Sequence, residues 1–277
     1  FITYSKKMID TSLMKNKKGL VMGVANDRSI AWAIAKTLYN SGAKVALTYQ
    51  GEVLKKRVDP LAKEINSPII LECDVENEND ILKTFKEIKK KWKTIDFLVH
   101  AIAFSNREEL KGKYLNTTKD NFKKTMDVSC YSFTAAARQA EKIMTNGGTL
   151  LTLSYFGSEK FMPHYNVMGI AKSALEASVK YLAKDLGGKK IRVNVLSPGP
   201  IKTLASSAIG DFNYILKWNE NNSPLKRNIT LDDISGSALY LLSDLSSGVT
   251  GEIHHVDSGY NIIGMKDTNS PDIFEEK

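Results

Sequence analysis

The 277-residue sequence is poor in cysteine, with only Cys73 and Cys130. Their spacing suits neither a disulfide framework nor a metal site, and no other metal-ligand cluster is visible, so a reducing, cytoplasmic compartment is expected. No apolar run reaches the roughly 18 residues of a membrane span. No compact basic run interleaves with aromatics, which argues against nucleic-acid binding. Residues 1–17 are polar and basic, lack the apolar core of a signal peptide, and read as a flexible N-terminal tail. Internal repeats, low-complexity stretches and linkers are also missing, so a single domain over 18–264 is expected, with 265–277 as a polar C-terminal tail.

What is present describes an ordinary globule: 42% hydrophobic and 25% charged residues, with a formal net charge of +8. The positive excess suits an acidic partner, although the lysines are scattered, as on solvated helix faces. Apolar runs at 19–22, 45–49, 69–72, 97–102, 149–153, 192–196 and 252–256 read as strands. Helical patterns fall between them, at 29–40, 52–65, 80–92, 120–145, 154–186 (its later part) and 231–245. Near-continuous apolar strands alternating with helices predict a Rossmann-like, doubly wound parallel sheet of about seven strands, covered by helices on both faces. Pro198, Pro200 and Pro224 mark one irregular insertion, 198–228, read as a substrate-binding loop or lid.

Ligands of such sheets bind outside the C-terminal strand ends. The first strand ends at Gly23, and the next helix begins near Ser29. Only Gly23 meets a dinucleotide glycine pattern; Ser29 either meets a phosphate or caps the helix. The second strand ends in Gln50, neither the acid that holds an NAD ribose nor an arginine for the NADP phosphate. The expectation is therefore NADH, with NADPH less favoured; Lys55, Lys56 and Arg57 stand against it. Asp74 and Val75 follow the third strand, and Asp74 either contacts adenine or caps a helix. After the fifth strand, Tyr165 and Lys172 lie seven apart, about two helical turns, and so on one helix face.

The residues Gly23 to Ile30, Thr48-Tyr49-Gln50, Cys73-Asp74-Val75, His100-Ala101-Ile102, Leu153-Ser154-Tyr155, Tyr165-Asn166-Val167-Met168-Gly169 with Lys172, Ser197 to Ala205 and Val256-Asp257-Ser258-Gly259 occur in order. Together they resemble the type I enoyl-[acyl-carrier-protein] reductases, a divergent branch of the short-chain dehydrogenase/reductases. The likeness spans about residues 19–264. Met168 stands four before Lys172, where the commoner branch has its tyrosine, leaving a Tyr-x6-Lys pair. Pro198 and Ser258 depart modestly from the family pattern.

The resemblance implies NADH-dependent reduction of the trans-2 double bond of an enoyl-[acyl-carrier-protein], the last step of a fatty acid elongation cycle. It implies Tyr165 and Lys172 as the catalytic pair and Tyr155 as a second active-site tyrosine, with Ser105, Tyr155 and Tyr165 at the substrate. It implies cofactor contacts at Gly23, Ser29, Ile30, Gln50, Asp74, Val75, Ile102, Lys172, Ile201, Lys202, Thr203, Leu204 and Ala205. It also implies an acidic carrier-protein partner and a homotetramer formed through the helix that carries Ala171, Ala174, Ala177 and Ser178. Tyr155, Phe156, Met162, Pro163, Ile201, Leu204, Ala205, Ile209 and Phe212 are candidates to line an acyl slot, with 204–218 as its lid. If Lys172 lies about 8 Å from Tyr165 in an effective dielectric of about 20, it lowers the phenol pKa by about 1.5. A carbonyl or ketoacyl reductase and a non-catalytic dinucleotide sensor are the alternatives. Met168 argues against the first, and the intact Tyr155, Tyr165 and Lys172 against the second.

Overall fold

The computed structural model describes residues 12–204, 206 and 210–271. Among the described residues there are seven strands: β1 (Lys18–Met22), β2 (Lys44–Tyr49), β3 (Ile70–Glu72), β4 (Phe97–His100), β5 (Gly148–Leu153), β6 (Ile191–Pro198) and β7 (Ile253–Val256). They form one sheet in the order β3-β2-β1-β4-β5-β6-β7, and every neighbouring pair is parallel. Such pairing needs a crossover between strands. The helices supply it: α1 (Ile30–Asn40), α2 (Gly51–Glu64), α3 (Glu78–Trp92), α4 (Lys119–Met126), α5 (Ser132–Glu141), α6 (Asn166–Gly187), α7 (Phe212–Asn222) and α8 (Leu231–Leu242).

The two faces of the sheet carry separate apolar cores. On one side Ile34, Leu38, Val58, Ala62, Ile234 and Leu241 of α1, α2 and α8 cover Val21, Val45 and Val99. On the other, Ile81, Phe85, Phe133, Ala136, Leu175 and Val179 of α3, α5 and α6 cover Leu20, Leu98 and Leu150. Strands buried on both faces explain their unbroken apolar runs. The direction of winding reverses between β1 and β4, which opens a crevice at the C-terminal strand ends.

One expectation is corrected. The helix expected over 120–145 is broken by a wide π turn, Asp127–Tyr131, between α4 and α5, and α5 stops at Glu141. Apolar periodicity does not register this extra residue per turn. In the expected N-terminal tail, Ser12, Lys15 and Asn16 are exposed, while Met14 is buried in the α1–α8 core and its N–H donates to Ser41 O at 2.9 Å. In the expected C-terminal tail, the Ser270 hydroxyl donates to Asn221 O at 3.2 Å.

Candidate active site

Two strand-to-helix corners meet the crevice, one after β1 and one after β5. At the first, Gly23 has φ +100°, and a Cβ there would lie 2.1 Å from Ala101 O. Both the dihedral and the close approach require glycine. Ser29 occupies the N-cap position of α1 but makes no side-chain cap bond. Its hydroxyl instead donates to Asn26 O at 2.7 Å, closing the turn. The first-turn amides of α1, beginning at Ile30, are thus left uncapped by any side chain, a suitable seat for an anion.

The other candidate cofactor residues are spread along the same edge. Gln50 is exposed at the N-cap of α2, again with no side-chain cap bond. Asp74 accepts from Glu76 N–H at 3.0 Å in a local turn; the capping role that it was allowed falls instead to Asn77 at the start of α3. Val75 is buried, and Ile102, expected inside a strand, lies beyond the end of β4 against the α3–α6 core. Ile201 packs on the opposite core, Lys202 and Leu204 are exposed, and Thr203 exchanges three hydrogen bonds with Ser206. Ala205 and Ile209 lie outside the described residues. Ser105 is tied to Asn121 and Thr125, whose hydroxyl donates to it at 3.0 Å.

The second corner runs from Ser154 to Tyr165. Tyr165 does not share the helix with Lys172 in the way that spacing suggested. It is the N-cap of α6, and its neighbours His164 and Asn166 have φ of 56° and 39°. These left-handed residues turn the Tyr165 ring, rather than a helical repeat. The Asn166 amide fixes the turn by donating to Glu109 O, Leu110 O and Gly112 O at 3.2–3.4 Å. Gly157 makes room for the ring: a Cβ there would sit 2.3 Å from Tyr165 Cδ1. The Tyr155 and Tyr165 rings then meet edge to face, with centroids 4.9 Å apart.

Lys172 is 5% exposed, and its ammonium donates to Leu153 O at 2.8 Å. Burial lowers its pKa to about 8, against the opposing pull of Cys130 and Glu176. Tyr165 shifts the other way from the expected lowering. Burial raises its pKa, and Tyr155 and Glu176 add to the rise. Burial likewise raises the Tyr155 phenol, and the Tyr155 hydroxyl is buried without a partner among the described residues. Both phenols therefore hold their protons at neutral pH. His100, fully buried between Thr152 and Ser132, is kept neutral with a pKa lowered to about 3 by burial and then by Lys172.

A cavity of about 190 Å³ opens beside Tyr155. Phe156, Met162 and Pro163 line it as expected, whereas Ile201, Leu204 and Phe212 do not. Phe161, Tyr214, Ile215, Trp218 and Tyr260 also line it. The first four were legible as a loop aromatic and one stripe of α7; Tyr260 had no local signal. Trp218 Nε1 donates to Tyr260 Oη at 2.9 Å, closing the cavity on the α7 side. Gly157, Asn166 and Glu176 were also missed, because their contacts are with backbone and side chains distant in sequence.

A glycine corner at the switch point, facing a buried lysine and two protonated tyrosines, is the arrangement of a Rossmann-like reductase. Within that class the chain belongs to the enoyl-(acyl carrier protein) reductase family, whose sequence model matches residues 23–261. It is similar to enoyl-[acyl-carrier-protein] reductase [NADH] 1 of Rhizobium meliloti, 61% identical over 95% of this chain and 97% of the relative. A Rickettsia prowazekii enoyl-[acyl-carrier-protein] reductase [NADH] is 56% identical over 92% of this chain and 97% of that one. Among solved structures, the Anaplasma phagocytophilum reductase in complex with NAD superposes with a TM-score of 0.90 at 56% identity, covering 94% of this chain and 98% of that one. The Bacillus cereus enoyl-acyl carrier protein reductase, solved with NADP+ and indole naphthyridinone, gives 0.90 at 49% identity, covering 92% and 100%.

Proposed function

We propose that this chain reduces the trans-2 double bond of enoyl-[acyl-carrier-protein], with NADH as donor, at the end of each fatty acid elongation cycle. The observation that carries the reading is the edge-to-face pair of Tyr155 and Tyr165 beside an apolar cavity that Tyr155 lines, with Lys172 buried on the helix that Tyr165 begins. The dinucleotide fits the residues present. Gly23 lets the backbone approach closely, α1 offers uncapped amides, and Gln50 brings no cation for a 2′-phosphate. When bound, it supplies hydride to the β-carbon of the enoyl thioester. Ser29, Ile30, Asp74, Val75, Ile102 and 201–205 would hold it along the strand ends.

Tyr165 donates a hydrogen bond to the thioester oxygen as charge gathers there. Such a donor, placed beforehand in a water-poor pocket, stabilises the developing enolate without having to ionise. The raised phenol pKa favours this role over that of an ionising acid. Tyr155 packs against Tyr165, and its hydroxyl is buried without a partner among the described residues. Lys172 would hold the nicotinamide ribose and add positive charge to the site. The aromatic cavity takes the acyl chain and excludes water, with 198–228 as the covering segment of one reductase domain, 18–264. The carrier protein is acidic in this reading, matching the +8 charge. We place the enzyme as a homotetramer in the cytoplasm. Buried, free Cys73 and Cys130 suit a reducing compartment, and no helix among the described residues is long and apolar enough to cross a membrane.

The test follows NADH oxidation by absorbance with crotonyl and longer enoyl thioesters, beside a ketoacyl thioester and with NADPH in parallel. Turnover of the enoyl thioester with NADH is expected. Faster reduction of the ketoacyl thioester, or tight NADH binding with no turnover, overturns the assignment.

A further inference from the structure

Glu176 is a carboxylate 5% exposed, one helical turn beyond Lys172 on α6. Buried carboxylates are rare unless they are satisfied and used. Glu176 Oε1 accepts hydrogen bonds from the hydroxyls of Ser154 and Ser158, the latter at 2.5 Å. These serines bracket the turn that carries Tyr155. On the neighbouring turn of α6, the Ser173 hydroxyl donates to Ser158 O at 2.5 Å and Gly169 O at 2.9 Å. Lys172 in turn grips Leu153 O. Two consecutive turns of one helix therefore hold the end of β5 and the corner after it. Gly169 permits the approach, since a Cβ there would stand 2.6 Å from Gly157 O.

We propose that Glu176 is the positioning residue of this site: it locks the Tyr155 corner onto α6 and keeps negative charge behind the Lys172–Tyr165 pair. The proposal rests on the reductase reading for what Lys172 and Tyr165 do. An apolar residue would pack α6 without serine partners, so the contacts alone do not require a charge. Its second effect is electrostatic. Lys172 faces Cys130 of the π turn, His100 of β4 and Glu176 on its own helix. His100 is neutral and the Cys130 thiol is pushed up by burial, which leaves Glu176 as the one carboxylate named in this set. It opposes the desolvation that drives the Lys172 proton off. The same charge resists ionisation of Tyr165.

The test uses the full chain with ε-13C lysine and follows Lys172 by NMR titration, its resonance identified by its loss in Lys172→Met. Glu176→Gln keeps an accepting oxygen and removes the charge. The Lys172 midpoint is expected to fall by about one pH unit, with the alkaline limb of kcat moving down alongside it. Glu176→Asp keeps the charge but draws back from Ser158; kcat is expected to drop about tenfold while the Lys172 midpoint stays. A Glu176→Gln enzyme that titrates and turns over like the parent overturns the proposal. If both Glu176 variants fail to fold, Ser158→Ala decides: a several-fold loss of kcat with an unchanged Lys172 midpoint supports the lock, and unchanged kcat refutes it. Should the parent reduce no enoyl thioester, the reaction assignment fails, while the Lys172 titration in Glu176→Gln still decides the electrostatic tie.

Discussion

The corner after β1 and the corner after β5 do the same topological job by different means. The first is short and made of backbone: Gly23 at φ +100°, a hydroxyl folded onto its own turn, and helix amides left uncovered. The second is long and made of side chains: two tyrosine rings, a buried lysine, and a carboxylate holding two serines. A corner that greets a phosphate needs only amides and room. A corner that meets a reacting oxygen must fix donors in place, and side chains need supports of their own.

The sharpest way to break the comparison is Tyr165→Phe, which removes one donor while keeping the ring. kcat with an enoyl thioester is expected to fall by about 10²–10³, with NADH affinity kept, measured by NADH oxidation and by dinucleotide fluorescence. Gly23→Ala attacks the other corner. Its Cβ meets Ala101 O and its φ penalises any side chain, so roughly a tenfold or greater loss of NADH affinity is expected, together with a lower Tm. Loss of kcat alone, with NADH affinity intact, would count against the backbone role.

The lysine sharpens the contrast further. With Lys172 lowered to about 8, its charge is full below that pH and is lost as pH rises through it. kcat/KM is therefore expected to decline above about 8. A pH profile flat to 10 would contradict the charged role of Lys172. The smallest effect lies outside both corners. Thr230 caps α8 in a capping box with Asp233, so Thr230→Ala should cost about 1 kcal/mol of stability and leave kcat unchanged, as read by thermal melting and the same assay.

The same contrast explains what was legible beforehand. Strand positions and the glycine corner follow from local rules: apolar runs buried on both faces, and a glycine at a strand end. The π turn escaped because its apolar faces continue those of α4 and α5. Tyr165 was singled out by its helix face, but that geometry is not the one realised, since His164 and Asn166 turn the chain first. The direction of the Tyr165 shift was misjudged for a related reason. Charge proximity was inferred from spacing, whereas burial depends on everything packed around the ring.

By itself the sequence determined the alternation of strand and helix, the parallel sheet that follows from it, and the residue types on offer at each strand end. Periodicity and backbone chemistry act over a few residues, so they can be read along the chain. Only the tertiary structure decided which groups meet. Gly157 beneath Tyr165, Asn166 against three carbonyls of 109–112, Glu176 between two serines and Tyr260 against Trp218 are all contacts between separate segments. Desolvation, which sets the protonation of Tyr165 and Lys172, exists only once those segments have closed over them.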